Sequence, residues 1–202
     1  MNELIATFIF FFAVIDPIGT VPVFIAVTSH YDAHIKRKIA IKATLVSAII
    51  LVFFVVAGEV ILTAIDIPLS AFQIAGGIVL FLFALTMIFG ESKPEQEVKL
   101  VDNATQTAIF PLAVPSIASP GAMLAAVMMT ENSQFNLLEQ AETTAVMLSV
   151  LLIVLILMLA ASSIHRLIGN SGASIISRVM GLILASVATA NVLAGIKVYF
   201  SL

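Results

Sequence analysis

Apolar residues gather in six stretches, each long enough to cross a bilayer: roughly Leu4–Val27, Ile39–Thr63, Leu69–Phe89, Ala108–Thr130, Thr143–Ile164 and Ala173–Phe200. A span needs about 20 mostly apolar residues at about 1.5 Å rise each. Six of them in 202 residues leave little chain for anything else. Composition agrees: the chain is 61% hydrophobic and 10% charged, with mean hydropathy +1.17. A water-soluble domain of this size cannot bury that much apolar surface, so lipid must be the solvent for much of it. The expected fold class is an all-α membrane protein with six transmembrane helices, one integral membrane domain over residues 1–202. The lipid bilayer is its first partner, and nothing in the sequence points to nucleic acid.

The first apolar run is expected to stay as a span. Met1-Asn2-Glu3 has no basic lead-in, and no small-residue cleavage site follows. Cys is absent, which excludes disulfides, thiolate metal sites, a Cys nucleophile and palmitoylation. Trp is absent too, so an aromatic belt must use Tyr31, Tyr199 and Phe. Lys and Arg set the orientation. Lys36, Arg37, Lys38 and Lys42 lie in or beside loop one, Lys93 and Lys99 in loop three, Arg166 and Arg178 in loop five. Eight of the nine basic residues thus fall on one side, leaving Lys197 for the other. The positive-inside rule makes loops one, three and five cytoplasmic and puts both termini outside.

Two of the spans carry helix-breaking motifs at mid-depth: Asp16-Pro17-Ile18-Gly19 in the first and Ser119-Pro120-Gly121 in the fourth. Leu4 to Ile15 is 12 residues, roughly 18 Å of helix, too short for about 30 Å of hydrocarbon. The segment must therefore continue through the motif. Pro17 removes a backbone donor and biases Asp16 away from helical geometry. One half-helix ends near Ile15; a second starts with Asp16 as N-cap and Pro17 at its first position. Ser119-Pro120-Gly121 repeats the design, and Pro111 and Pro115 loosen the turn before it.

The matching positions point to a duplication. Asp16-Pro17 aligns with Ser119-Pro120 at an offset of 103, Gly77-Ile78-Val79-Leu80 with Gly181-Leu182-Ile183-Leu184 at 104, and Leu45-Val46-Ser47 with Met147-Leu148-Ser149 at 102. Repeat one covers about 1–90, a polar cytoplasmic linker about 91–107, and repeat two about 108–202. Three helices is an odd number, so the second repeat enters from the opposite face. The result is an inverted-topology repeat, the plan of many secondary transporters, with the first and fourth helices broken mid-membrane.

Broken backbone inside a bilayer survives only where protein or a wet cavity covers it. Both breaks should face the interior, and the N-termini of the second half-helices should converge there with their free N–H groups. That place suits a carboxylate, and Asp16 suits an ammonium, so a small zwitterion such as an amino acid fits both. Asp16 could instead cap its own half-helix, or bind a coupling proton or Na⁺. An acid deep in a span is a site by default, whereas a Pro-Gly motif alone often gives only a kink. The candidate substrate-binding residues are Asp16, Pro17, Gly19, Thr20, Ser119, Pro120 and Gly121. Glu59, near the outer end of its span, and Asn191 in the last span are secondary candidates. Thr189, Ser186 and Gln73 are further polar groups able to serve freed backbone or a ligand.

Gly76-Gly77 and Gly181 are expected to let the third helices pack closely on the broken ones. His30 and His34, spaced i, i+4 around Asp32, read better as a solvated basic loop than as a metal site. No cofactor or metal is expected, and no enzyme. No phosphate-binding G-x-x-x-x-G-K-[ST] loop is present, a second deep acid for an aspartyl protease is missing, and His165 lies at the cytoplasmic end of the fifth span, far from Ser119.

These residues resemble the MarC family of bacterial and archaeal inner-membrane proteins. The likeness rests on Asp16-Pro17-Ile18-Gly19-Thr20-Val21-Pro22-Val23-Phe24, Gly58-Glu59, Gly76-Gly77-Ile78, Pro111-Leu112-Ala113-Val114-Pro115 with Ser119-Pro120-Gly121, and Arg178-Val179-Met180-Gly181-Leu182-Ile183-Leu184. It covers essentially the whole chain. It implies a six-span protein of the cytoplasmic membrane, distantly akin to LysE-type exporters. The family carries two labels, multiple-antibiotic-resistance-related and small neutral amino-acid transporter.

The functional expectation is a secondary transporter of a small solute, best matched by neutral amino acids, with alternating access around a midplane site. Backbone N–H groups near Gly19 and Gly121 would hold a carboxylate and Asp16 an ammonium or proton, with Ser119 and Thr20 assisting. The alternatives are a non-transporting assembly or envelope-stress partner that uses the breaks as packing kinks, and a passive channel. A homo-oligomer is compatible with each.

Overall fold

The computed structural model describes residues 2–89, 103–132 and 134–200. Every element among them is helical, and five helices, or six counting one bent pair, are long and apolar enough to cross a membrane. In chain order they are α1 (Asn2–Ile15), α2 (Pro17–Thr28), α3 (Ala33–Ala64), α4 (Leu69–Phe89), α5 (Ala104–Thr107), an irregular segment Ala108–Ile117, α6 (Pro120–Met128), α7 (Leu137–Leu159) and α8 (Ala161–Tyr199).

The outside of the bundle is apolar, as a lipid solvent requires. On α3, Leu45, Ile49, Phe53, Val56 and Val60 form an exposed stripe at spacings of three and four, and Val56 is 71% accessible. The opposite face buries Ala43, Ser47, Leu51, Gly58 and Leu62. Residues three or four apart share a helix face, so polarity is not what separates inside from outside here. Side-chain size and fit do.

Small residues set the closest approaches. The seam between α4 and α8 is the most extensive helix contact in the molecule. A Cβ added at Gly77 would meet Val192 Cγ2 at 2.8 Å and the Ala188 carbonyl at 3.0 Å; one at Gly181 would meet Met87 Cβ at 2.9 Å. A Cβ added at Gly195 would come as close to the Ser70 carbonyl, at 2.9 Å. Backbone thus packs on backbone along the whole seam. The expectation that Gly77 and Gly181 serve the broken helices is corrected: they serve each other's helix. Gly76 does face a broken helix, with Leu124 Cδ2 at 2.8 Å. Reciprocally, Gly121 of α6 receives Leu80 of α4, at 2.7 Å from an added Cβ.

Three boundaries depart from the sequence reading. The linker was expected to run to Thr107, but its last four residues fold as α5, with Asn103 Oδ1 accepting from the Gln106 N–H at 2.9 Å. This turn docks on α3 and the turn before it: Lys42 Nζ donates to Thr105 Oγ1 at 3.1 Å, and Tyr31 Oη lies 3.4 Å from Thr107 Oγ1. Most of the linker, residues 90–102, lies outside the described residues. The second change is α3, which starts six residues before the expected Ile39 and carries the basic residues of loop one on its first turns. Third, loop five is not a loop. Only Ala160 separates α7 from α8, and α8 runs 39 residues, of which Arg178–Tyr199 is the apolar span. The polar residues of 165–172 had suggested a loop, yet few of them break a helix, and a helix that leaves the bilayer has no reason to stop there.

Candidate functional site

The two breaks differ in shape. At Asp16 the chain runs on, and Glu3–Ile25 still qualifies as one continuous span. The Asp16 N–H bonds the Phe12 carbonyl at 3.1 Å, and the Thr20 N–H bonds the Asp16 carbonyl at 3.1 Å. Between these bonds Asp16 takes φ 51°, in the left-handed region. The sequence points to an N-cap turned away from helical geometry there, without specifying which backbone region it takes. Asp tolerates the left-handed well better than most residues, though it still costs roughly 1–2 kcal/mol. The side chain acts as a cap all the same: Oδ1 accepts from the Gly19 N–H at 2.9 Å, and Thr20 Oγ1 donates to the Asp16 carbonyl at 3.0 Å.

The second break is wide. Phe110 and Val114 take extended backbone angles, each before a proline, inside the 108–117 segment. Both prolyl bonds are cis. The segment closes with the Ala118 N–H on the Ala113 carbonyl at 2.8 Å. The helical axes on either side then meet at 58°. Ser119 begins α6 as an extended N-cap, its Oγ accepting from the Ala122 N–H at 3.1 Å, with Pro120 at the first position.

A hydrogen bond joins the breaks. Ser119 Oγ donates to the Val14 carbonyl at 2.9 Å, across 105 residues of sequence. Pro17 interrupts the α1–α2 backbone ladder at this point, and the second break supplies a partner to a carbonyl there. Asp16, Thr20 and Ser119 are each at most 2% accessible, and Pro17, Gly19 and Gly121 are buried beside them. Pro120 is half-buried. Of the primary candidates, the first break unites Asp16, Pro17, Gly19 and Thr20, the second Ser119, Pro120 and Gly121, and the Ser119 bond ties the two sets.

Gly19 is fixed by the carboxylate above it. An added Cβ would sit 1.9 Å from Asp16 Oδ2 and 2.8 Å from Oδ1. In this conformation the Gly19 N–H is engaged by the protein's own carboxylate, in the place foreseen for a ligand's.

The secondary candidates lie elsewhere. Glu59 Oε2 accepts from the Asn132 backbone N–H at 2.7 Å and from its Nδ2 at 2.8 Å, while Gln140 Nε2 donates to Asn132 Oδ1 at 3.0 Å. Glu59 is thus a clasp from α3 through the 130s turn to α7. Asn191 is half-buried on α8 and has no hydrogen bond to either break among the described residues. Thr189 and Ser186 are exposed and bond back to Ala185 and Leu182 of their own helix. Gln73 is 9% accessible on α4. Two serines near the second break were not foreseen. Ser116 is 1% accessible, and its Oγ has no hydrogen-bond partner among the described residues. Ser47 Oγ donates to Ala43 at 2.9 Å and also lies 3.4 Å from the Ala113 carbonyl. A polar residue next to a Pro-rich break was the signal available for Ser116; Ser47 had none.

Spans with a lipid-facing apolar exterior and a polar joint in the interior define a polytopic integral membrane protein. The MarC family integral membrane protein model matches residues 1–200. The chain belongs to the MarC family. It is 35% identical over 204 aligned positions to a UPF0056 membrane protein of Methanocaldococcus jannaschii, covering 98% of this chain and 97% of that one. It is 30% identical to the UPF0056 inner membrane protein YhgN of Escherichia coli K12, covering 98% of each. A UPF0056 membrane protein of Buchnera aphidicola from Schizaphis graminum is 30% identical over 99% of each chain. No solved structure matches the chain.

Proposed function

We propose that this protein is a secondary transporter of a small solute, best matched by neutral amino acids, and that the joint between the two helix breaks is its substrate site. The observation that carries this reading is the Ser119–Val14 hydrogen bond beside the buried Asp16 carboxylate. Two capped half-helix N-termini meet a carboxylate at mid-span, where burying an ionised group costs several kcal/mol. The α2 dipole and the Gly19 N–H offset part of that cost. A group so expensive is more readily explained by use than by packing.

The buried joint corresponds to an occluded state. Substrate binding then requires an exchange: the Asp16 carboxylate leaves the Gly19 N–H for the substrate ammonium or a coupling proton, and the substrate carboxylate takes the freed N–H groups near Gly19 and Gly121. Opening alternates between faces because the halves are inverted repeats, with both termini outside and the basic ends of the helices cytoplasmic. No bond of the solute is broken, so the protein is a carrier and not an enzyme.

The rival reading, a non-transporting membrane protein, draws on the same satisfied caps, since a joint that completes its own hydrogen bonds also makes a stable kink. Counterflow of labelled glycine, alanine, serine and threonine into proteoliposomes separates them. Saturable uptake that collapses in Asp16→Asn is expected; its absence with folded protein would remove the amino-acid reading. Solvent access gives a second test in this Cys-free chain. Ser119→Cys should react with an aqueous thiol reagent during turnover, and a kink alone would keep it unlabelled. Gly19→Cys is a poor reporter, because its side chain would collide with Asp16.

A further inference from the structure

A cleft of about 680 Å³ opens where the N-terminal turns of α1 and α7 meet the end of α6. Glu3, Glu139 and Glu142 line it, and among the described residues no basic side chain does. Phe10, Met129 and Phe135 form its apolar wall. Glu3 and Glu139 sit in first helical turns, and Glu139 Oε2 accepts from the Asn136 N–H at 2.9 Å. Helix ends therefore account for two of the acids. Glu142, a turn further along α7, has no such partner to explain it.

The independent observation is a pair of threonines. Thr7 and Thr143, 8% and 7% accessible, line this cleft from α1 and α7. Among the described residues neither hydroxyl makes a hydrogen bond, although Thr20, Thr28, Thr44, Thr130 and Thr144 all bond back to their own helices. Both residues are more than nine-tenths buried, yet neither hydroxyl oxygen is among the enclosed ones, so the two open into the cleft they line, and two such acceptors beside three acids point to a donor-bearing ligand.

We propose that this cleft is a second binding site, separate from the breaks, for a primary ammonium carried on an apolar body. The carboxylates neutralise the charge, the threonine hydroxyls accept its N–H groups, and the aromatic wall takes the tail. A soluble amphipathic amine and the headgroup of an aminophospholipid share this chemistry. A trimethylammonium group, having no N–H, does not satisfy the threonines. The proposal holds whether or not the protein is a carrier.

The chain has no Trp, so Phe135→Trp makes a single reporter in the cleft wall, with Phe10→Trp as a second. Either variant, reconstituted in phosphatidylcholine vesicles, is titrated with 2-phenylethylamine hydrochloride and with 2-phenylethanol, each equilibrated across the membrane. Saturable emission change with the amine and none with the alcohol is expected. Glu3→Gln with Glu142→Gln should raise the half-saturating concentration at least tenfold, and Thr7→Val with Thr143→Val several-fold. Equal response to the alcohol, a non-saturating response, or indifference to the Gln pair would overturn the site. Repeating the titration with phosphatidylethanolamine in the vesicles separates the two sources. A several-fold rise in the half-saturating concentration assigns the cleft to the lipid headgroup, and an unchanged one to the soluble amine.

Discussion

Ser119 holds two jobs with one oxygen: it caps α6 and satisfies a carbonyl of α1. Ser119→Ala removes both. The lost cap costs about 0.5–2 kcal/mol and the stranded carbonyl about 1–3 kcal/mol. The variant should lose about 2–4 kcal/mol in an unfolding titration in mixed micelles, and Ser119→Thr should restore most of it. A loss within error would mean that the joint is incidental. Gly19→Ala tests the other side. Alanine is favoured over glycine in a helix by about 1 kcal/mol but the lost bond to the carboxylate costs about 1.5–3 kcal/mol, so stability should fall by only about 0.5–2 kcal/mol. Its Cβ must nevertheless drive the Asp16 carboxylate off the Gly19 N–H, and counterflow should fall at least tenfold. Wild-type counterflow in that variant would show that the Asp16–Gly19 pairing is not part of the transport cycle. Asp16, Pro17 and Ser119 were legible in the sequence because proline after a capping residue has few meanings. The left-handed backbone of Asp16 was not, since the geometry that proline disfavours does not specify the one adopted in its place. Nor was Ser47, whose approach to Ala113 depends on how α3 crosses the second break.

Hydropathy located the helices, because a lipid-exposed helix must be apolar over its full width. It did not place their ends. Helices α3 and α8 outrun the bilayer, and once outside it no change of solvent marks where they stop. Partners of the glycines were equally illegible. A small residue announces close approach without naming the neighbour, and Gly77 and Gly181 chose each other's helix over the broken ones. Leucine at either position must force the α4–α8 backbones apart. Overpacking of this kind costs about 1–3 kcal/mol. Gly77→Leu and Gly181→Leu should each lower the unfolding free energy by that amount, and the pair should cost less than the sum, since one separation relieves both. Strict additivity would place the two glycines in independent contacts.

At the scale of the molecule, Lys38 and Gln134 belong to opposite ends of α3, because Asn132 is clasped to Glu59 near the helix C-terminus. Single cysteines at these positions test the orientation. Gln134→Cys should react with an impermeant maleimide on intact cells, and Lys38→Cys only after permeabilisation; the reverse pattern would invert the topology. The bundle was foreseeable as a class, but its assembly was not, since apolar faces of similar composition do not specify which pairs meet. The α4–α8 seam has a mechanical consequence. Helices interlocked backbone to backbone along their length cannot slide without disengaging every glycine, so they behave as a stator. The α1–α6 joint includes the Ser119 hydroxyl, a polar contact that, on the proposed transport reading, a solute would exchange for its own. On that reading the frame is steric and the hinge polar, and the hinge is where a polar solute would be felt.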